Sequence, residues 1–288
     1  MIVGFVNARL LNLKESIGML MGANLGTTTT FWMIAFVGFK FNLSAFALPC
    51  VGIGVALIYF RQSKMRDSGE AFIGFGLLLL GLNFLKESVP DVESNPEIFR
   101  FLADWSGMGM GSVFIFMFFG IFLTIMVQSS SVAGAITLTL AAKGWIGYED
   151  AAAIVLGENI GTTVTANIAA LAGGIESKRT ARAHFLFNVF GVCWMLPVFY
   201  PFIQLVAFLV PGDPNLPVHM LFHLALFHSL FNLINTGILV GFVDKLAYFA
   251  TLMVREKKGR AESLDGEHLQ FQAANLPQTG EINLAEDE

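Results

Sequence analysis

A nine-residue polar signature occurs twice in this chain, each time inside a stretch too apolar for water. Gly22-Ala-Asn-Leu-Gly-Thr-Thr-Thr-Thr30 aligns without a gap on Gly157-Glu-Asn-Ile-Gly-Thr-Thr-Val-Thr165, 135 positions on, with six of nine residues identical. A further polar cluster, Gln128-Ser129-Ser130-Ser131, precedes the second copy and is also flanked by apolar residues. Hydrocarbon offers these groups no water, so each must find a partner within the protein. A duplicated cluster of Gly, Asn, Ser and Thr at membrane depth is costly, and it predicts helices broken around a solute.

Composition agrees with a bilayer. Hydrophobic residues make up 55% of the chain and charged residues only 14%, against about a quarter charged in soluble domains. The expectation is an all-α integral membrane protein. The net charge of −5 is concentrated in the last thirty or so residues, and no basic stripe of the kind that binds nucleic acid is present. Cys50 and Cys193 sit apart in apolar runs with no CxxC spacing, which argues against a disulfide framework or a zinc site. There is no HExxH, no GxSxG elbow and no paired carboxylates on a span, so neither an enzyme nor a cofactor is expected.

Runs of about 20 apolar residues mark candidate spans: 17–39, 43–60, 71–85, 151–174, 183–210 and 218–249. The run 71–85 is short. Gly111–Trp145 is long and interrupted at its centre by Gln128–Ser131, which predicts a re-entrant hairpin of two half-helices. Met1–Leu13 reads as the second arm of a similar hairpin. Lys and Arg mark cytoplasmic ends at Arg61/Lys64/Arg66, Lys178/Arg179/Arg182 and Arg255/Lys257/Lys258/Arg260, while the connections 87–104 and 211–217 are acidic or neutral. With the hairpin returning to the outer side, 17–39 ends outside near Lys40 and 151–174 ends inside at Lys178. The two signature segments then cross in opposite senses, an inverted-topology repeat. The expected layout is a transmembrane unit over 1–254, with repeat one at about 1–106 and repeat two at about 107–254. A disordered polar cytoplasmic tail follows over 255–288. The chain would sit multi-pass in the plasma membrane, the inner membrane of a bacterium, against lipid; a homo-oligomer stays open.

Amide and hydroxyl groups supply neutral oxygens and also donate, glycines let the backbone turn or approach a solute, and half-helix N-termini suit an anion. Few positive charges lie deep in these segments, so a bound anion would need a co-bound cation. The competing reading is packing, since Gly, Ser and Thr are ordinary residues at membrane helix contacts. Glu158 is the one acid within a signature, where the other copy has Ala23. It reads as a cation or proton site, or as an acid solvated at a water-filled mouth. His184/Asn188 and His228/Asn232 each place His and Asn at i, i+4, and are expected to hydrogen-bond between the two long helices.

From Gln128-Ser-Ser-Ser131 and Gly157-Glu-Asn-Ile-Gly-Thr-Thr163, together with Ala183-His-Phe-Leu-Phe-Asn188 and Phe227-His-Ser-Leu-Phe-Asn232, the chain resembles the type II sodium/phosphate cotransporters in their bacterial form. The resemblance runs to about Phe249. It implies phosphate import coupled to the sodium gradient, with sodium as coupling ion. Substrate and sodium sites would fall on Gln128, Ser129, Ser130 and Ser131, then on Asn159, Thr162 and Thr163, and on Asn24, Thr27 and Thr28. Sodium would occupy the same polar cluster. The family carries the Gln-Ser-Ser-Ser turn in each repeat, and the first would fall ahead of Met1. After Ser131 the chain reads Val-Ala-Gly where the family commonly has Ala-Thr-Thr. Many bacterial members continue into a PhoU-like helical domain, whereas here a polar tail follows Arg255. The resemblance thus implies a chain truncated at its N-terminus and lacking that domain. The alternative function is a non-transporting membrane component that assembles with a complete transporter.

Overall fold

The computed structural model describes residues 1–38, 43–60, 62–91, 93 and 96–255. Lys40, Arg61 and the polar tail beyond Arg255 lie outside the described residues. Among those described, all regular structure is helical: α1 (Ile2–Asn7), α2 (Leu13–Met33), α3 (Leu43–Ile58), α4 (Ser63–Ser88), α5 (Pro96–Trp105), α6 (Met110–Val127), α7 (Ser130–Ala142), α8 (Tyr148–Ala170), α9 (Ile175–Leu209), α10 (Pro217–Leu239) and α11 (Val243–Met253). α2 continues into a π-helical turn at Ile34–Gly38, and a 3₁₀ turn at Val240–Phe242 separates α10 from α11. Among the described residues, four segments are long and apolar enough to cross a membrane: Ser63–Ser88, Met110–Val127, Ile175–Leu209 and Pro217–Met253.

Burial is inverted relative to a water-soluble fold. Phe118, Phe122, Met126 and Phe208 point outward, each more than 60% exposed, while Asn159, Thr163, Asn188, Asn232 and Asn235 are buried. A lipid-facing surface removes the penalty for exposed Phe, and the polar groups that lipid cannot satisfy collect within. This is an all-α membrane protein, as composition predicted.

The hairpin expected over Gly111–Trp145 is present. α6 ends at Gln128, whose left-handed backbone (φ 58°) reverses the chain, and Ser129 caps α7 by accepting from the Val132 N–H at 3.4 Å. Both ends of the hairpin lie on one side. Ser106, just before α6, donates to Asp150 at the start of α8 (2.6 Å). At the end of α7, Lys143 pairs with Asp91 (2.7 Å) and Trp145 Nε1 donates to Pro90 O (2.8 Å). One expectation is corrected: α6 is no half-helix, since 18 residues rise roughly 27 Å, nearly the hydrocarbon thickness.

The signature segments are also corrected. Both run as unbroken helix, in α2 and in α8. The hydroxyls remove the need to unwind. In α2, Thr27, Thr28 and Thr29 donate to Ala23, Leu25 and Gly26 carbonyls; in α8, Thr162, Thr163 and Thr165 donate to those of Glu158, Ile160 and Thr162. Helical backbone groups thus stay paired, and the polar side chains lean on their own turn. The chain breaks at Gln128 instead. Span boundaries also shift, and the run 183–210 begins earlier, at Ile175. The short run at 71–85 extends to Ser63–Ser88, because its polar first turns are helical though not apolar. The run 218–249 divides at the 3₁₀ turn.

α2 and α8 start 135 residues apart, at Leu13 and Tyr148, and they run in opposite directions. Ser16, in the first turn of α2, bonds Thr180 at 2.9 Å, in the second turn of α9, which follows the end of α8 after a short turn. Farther along α2, Trp32 Nε1 donates to Ser229 (2.8 Å) and Phe36 meets the Phe222 ring edge-on at 5.1 Å. Tyr148, opening α8, meets His223 in the same stretch of α10. The end of α2 therefore shares a level with the beginning of α8.

Candidate functional site: a polar cavity between the two signatures

α2 and α8 each turn one signature face toward the centre, and the hairpin tip and α10 close the space between them. Asn24 and Thr27 from α2, Ser130 from α7, Glu158, Asn159 and Thr162 from α8, and His228 from α10 line one small cavity. Its volume is about 10 Å³, near the smallest that holds a single water molecule. Phe31 packs over His228 with ring centroids 4.4 Å apart.

Hydrogen-bond bookkeeping fixes what the walls offer. Thr27 and Thr162 each spend their one hydroxyl proton on the carbonyl four residues back, at 2.9 and 2.8 Å, so oxygen lone pairs remain. Asn159 spends an amide proton on Val155 O at 2.8 Å. The Glu158 carboxyl accepts from Thr137 at 2.6 Å. Asn24 Nδ2 and His228 Nδ1 are buried and have no partner among the described residues. The cavity thus presents hydroxyl lone pairs together with unpartnered nitrogens.

Five of the ten residues expected at the substrate and sodium sites meet here: Asn24, Thr27, Ser130, Asn159 and Thr162. The others do not line this cavity. Thr28 and Thr163 point their hydroxyls back to their own helices at Leu25 O and Ile160 O. Gln128 is exposed and Ser129 serves as the α7 cap. Ser131, one residue round the helix from Ser130, faces a separate apolar groove of about 710 Å³ between α2, α4 and α7. Glu158 is only 3% exposed, so the solvated-mouth reading fails.

The His/Asn pairs are corrected too. Asn188 and Asn232 each donate to the carbonyl of their own helix four residues back, at His184 and His228, because i, i+4 spacing brings the amide onto that carbonyl. The bond between the two long helices belongs to Asn235, which donates to Phe187 O (3.1 Å) and accepts from Trp194 Nε1 (3.2 Å). His228 leaves its expected structural role and enters the cavity wall. Thr137 also escaped the sequence reading, although Ser130 and Thr137 are i, i+7 on α7, a spacing that puts them on one face.

The glycines of the second signature serve packing rather than a turn. A Cβ on Gly157 would strike Met117 O of α6, and one on Gly120 would strike Ile154 O of α8. Only glycines let these two backbones approach so closely. Gly134 has a similar duty, since a Cβ there would lie 2.5 Å from the Phe31 ring. This accounts for glycine where the resemblance leads one to expect threonine.

The sequence pattern of the Na+/Pi-cotransporter family matches residues 1–87 and 102–208. The chain belongs to the Na+/Pi-cotransporter family. Among curated relatives, YqeW of Bacillus subtilis, an uncharacterized protein, is 32% identical over 203 residues, covering 68% of this chain and 61% of its own. The "Putative inorganic phosphate export protein YjbB" of Escherichia coli K12 is 27% identical over 288 residues, all of this chain and 50% of its own. The sodium-dependent phosphate transport protein 2B of Rattus norvegicus is 40% identical over 98 residues, 33% of this chain and 14% of its own. The chain thus spans between half and two thirds of the two bacterial relatives. No solved structure matches it.

Proposed function

We propose that this cotransporter-family chain carries inorganic phosphate across a bacterial inner membrane in symport with sodium, inward along the sodium gradient. One observation carries the reading: two oppositely directed copies of one signature supply oxygens to a single buried cavity, at the tip of a hairpin whose ends share one side. In this reading they belong to an inverted-topology repeat, and alternating access rocks one repeat against the other. Substrate and sodium use Asn24, Thr27, Ser130, Asn159 and Thr162, with Glu158 as a cation site. Gln128, Ser129, Ser131, Thr28 and Thr163 join when the site opens. Opening is required, since about 10 Å³ admits a bare ion or one water but no phosphate.

The test is radiolabelled phosphate uptake into proteoliposomes with sodium or potassium outside. Sodium is expected to drive accumulation that collapses when the gradient is dissipated. Equal uptake in potassium would end the coupling claim. A second reading, export, is favoured by the name of YjbB, the Escherichia coli relative that aligns along the whole chain. Phosphate-loaded vesicles that empty without a sodium gradient, and fail to fill with one, would select it.

A further inference from the structure

The seam along which α2 packs against α10 changes character on the two sides of the cavity. Toward the side bearing Asp150 it is aromatic. Phe31 packs on His228 at 4.4 Å, Trp32 stacks on Phe36 at 5.9 Å, and Phe222 meets the Phe36 ring edge-on at 5.1 Å. Toward the side bearing Lys178 the seam is polar, and α9 joins it. Spacing of i, i+4 puts Thr180, His184 and Asn188 on one strip of α9, and His228, Asn232 and Thr236 on one strip of α10. Thr180 bonds Ser16 of α2, and His228 meets Phe31 of α2, so both strips turn toward α2.

These strips hold polar groups that the surrounding protein leaves unsatisfied. Asn188 Nδ2 donates to His184 O at 3.1 Å and Asn232 Nδ2 to His228 O at 3.0 Å, which turns both amide oxygens away from their own helices. Asn188 Oδ1, Asn232 Oδ1, His184 Nδ1, His228 Nδ1 and Thr236 Oγ1 are buried without a partner among the described residues. A buried amide oxygen that meets no donor is a cost an apolar side chain of similar shape avoids, so helix packing alone does not account for the set. Polar groups inside a membrane protein that lack protein partners line paths that water enters. The far end of this path is closed. Ser16 gives its proton to Leu13 O (2.7 Å), so Thr180 is the donor in the 2.9 Å bond between them, and both side chains are fully buried. We propose that the seam between α2, α9 and α10 is the aqueous passage from the cavity to the Lys178-bearing side, lined by His184, Asn188, Asn232 and Thr236, with the Ser16–Thr180 bond as its gate. What the passage carries rests on the transport reading above; the passage itself does not.

The experiment measures rates of reaction with a small quaternary-ammonium methanethiosulfonate, which does not cross lipid. It uses the full chain with Cys50 and Cys193 replaced by serine, in sealed membrane vesicles of either orientation. Single cysteines are placed at Asn188→Cys and Thr236→Cys, and at Phe118→Cys, whose side chain points outward in mid-span. The first two are expected to react from the Lys178-bearing face at least tenfold faster than Phe118→Cys. Thr180→Val keeps the shape of the side chain and deletes the gate bond. Added to either cysteine variant, it is expected to raise the rate about fivefold, the scale of one hydrogen bond between membrane helices. Thr236 makes no hydrogen bond among the described residues, so Thr236→Cys carries the test if Asn188→Cys does not fold. Reaction from the opposite face alone, or at the Phe118→Cys rate even with Thr180→Val, would overturn the passage. Fast reaction that Thr180→Val leaves unchanged would overturn the gate. Failure of sodium-driven uptake with this labelling pattern intact would remove the transport reading and leave the passage standing.

Discussion

Asn235 is the residue that joins the two long helices. It is fully buried, donates to Phe187 O and accepts from Trp194 Nε1, and it occupies a space that Gly191 keeps open, since a Cβ there would lie 2.8 Å from its amide nitrogen. Asn235→Leu leaves the Trp194 N–H without a partner and removes the second bond to the Phe187 carbonyl, which keeps its bond within α9. Hydrogen bonds between membrane helices contribute modestly, because an unfolded chain in the bilayer also finds partners. The expected loss is about 1–2 kcal/mol, read as a lower Tm in detergent. Thr251→Ala, which removes only a bond to Ala247 of the same helix, should change Tm little. Equal effects from the two substitutions would mean that Asn235 does not fasten α9 to α10.

Among the elements, α2 and α8 share a signature but not a neighbourhood. Gly157 and Gly161 of α8 press on α6, with Met117 O and Thr124 in the path of any added Cβ. Their counterparts Gly22 and Gly26 of α2 have nothing within 4 Å. The same substitution should therefore act oppositely in the two copies. Gly157→Ala forces α6 and α8 apart and is expected to lower Tm sharply, by the equivalent of several kcal/mol, as overpacking does at its upper end. Gly22→Ala meets no atom and gains helix propensity worth up to about 1 kcal/mol, so its Tm should hold or rise slightly. A matched loss at both positions would show that α2 packs against a helix as α8 does. The helix starts also differ: Asn12 and Glu15 form a reciprocal capping box at α2, whereas Gly147 caps α8 with no side-chain bond.

For the molecule as a whole, the decisive feature is that α2 begins where α8 ends. Lys14 pairs with Asp244 (2.7 Å), Asn7 Oδ1 accepts from the Gly174 N–H (2.8 Å), and Arg179 reaches Val254 O (3.2 Å). These contacts gather the starts of α2 and α9 and the end of α11 on the side bearing Lys178 and Arg255. Ser106, Asp150, Asp91 and Lys143 gather on the other. Single cysteines at Lys14, Arg255 and Glu149, in a chain with Cys50 and Cys193 replaced by serine, test this directly. An impermeant thiol reagent should reach Lys14→Cys and Arg255→Cys from one face of sealed vesicles and Glu149→Cys from the opposite face. Labelling of Lys14→Cys and Glu149→Cys from the same face would remove the antiparallel arrangement.

Apolar run length and the 135-residue offset were enough to read the membrane class, the correspondence of α2 with α8 and the hairpin at Gln128. All of these follow from hydropathy and from where Lys and Arg fall along the chain, which are local properties. Which face each hydroxyl presents was not legible. Ser130 and Ser131 are adjacent in sequence, yet one enters the polar cavity and the other an apolar groove, because successive helical residues point about 100° apart. Nor could sequence tell that Thr27 and Thr162 give their protons to their own helices, that Asn235 rather than Asn188 or Asn232 spans the gap, or that Glu158 is sealed from water. Those outcomes depend on which helix lies opposite, and that is settled when α2, α7, α8 and α10 pack around one small volume.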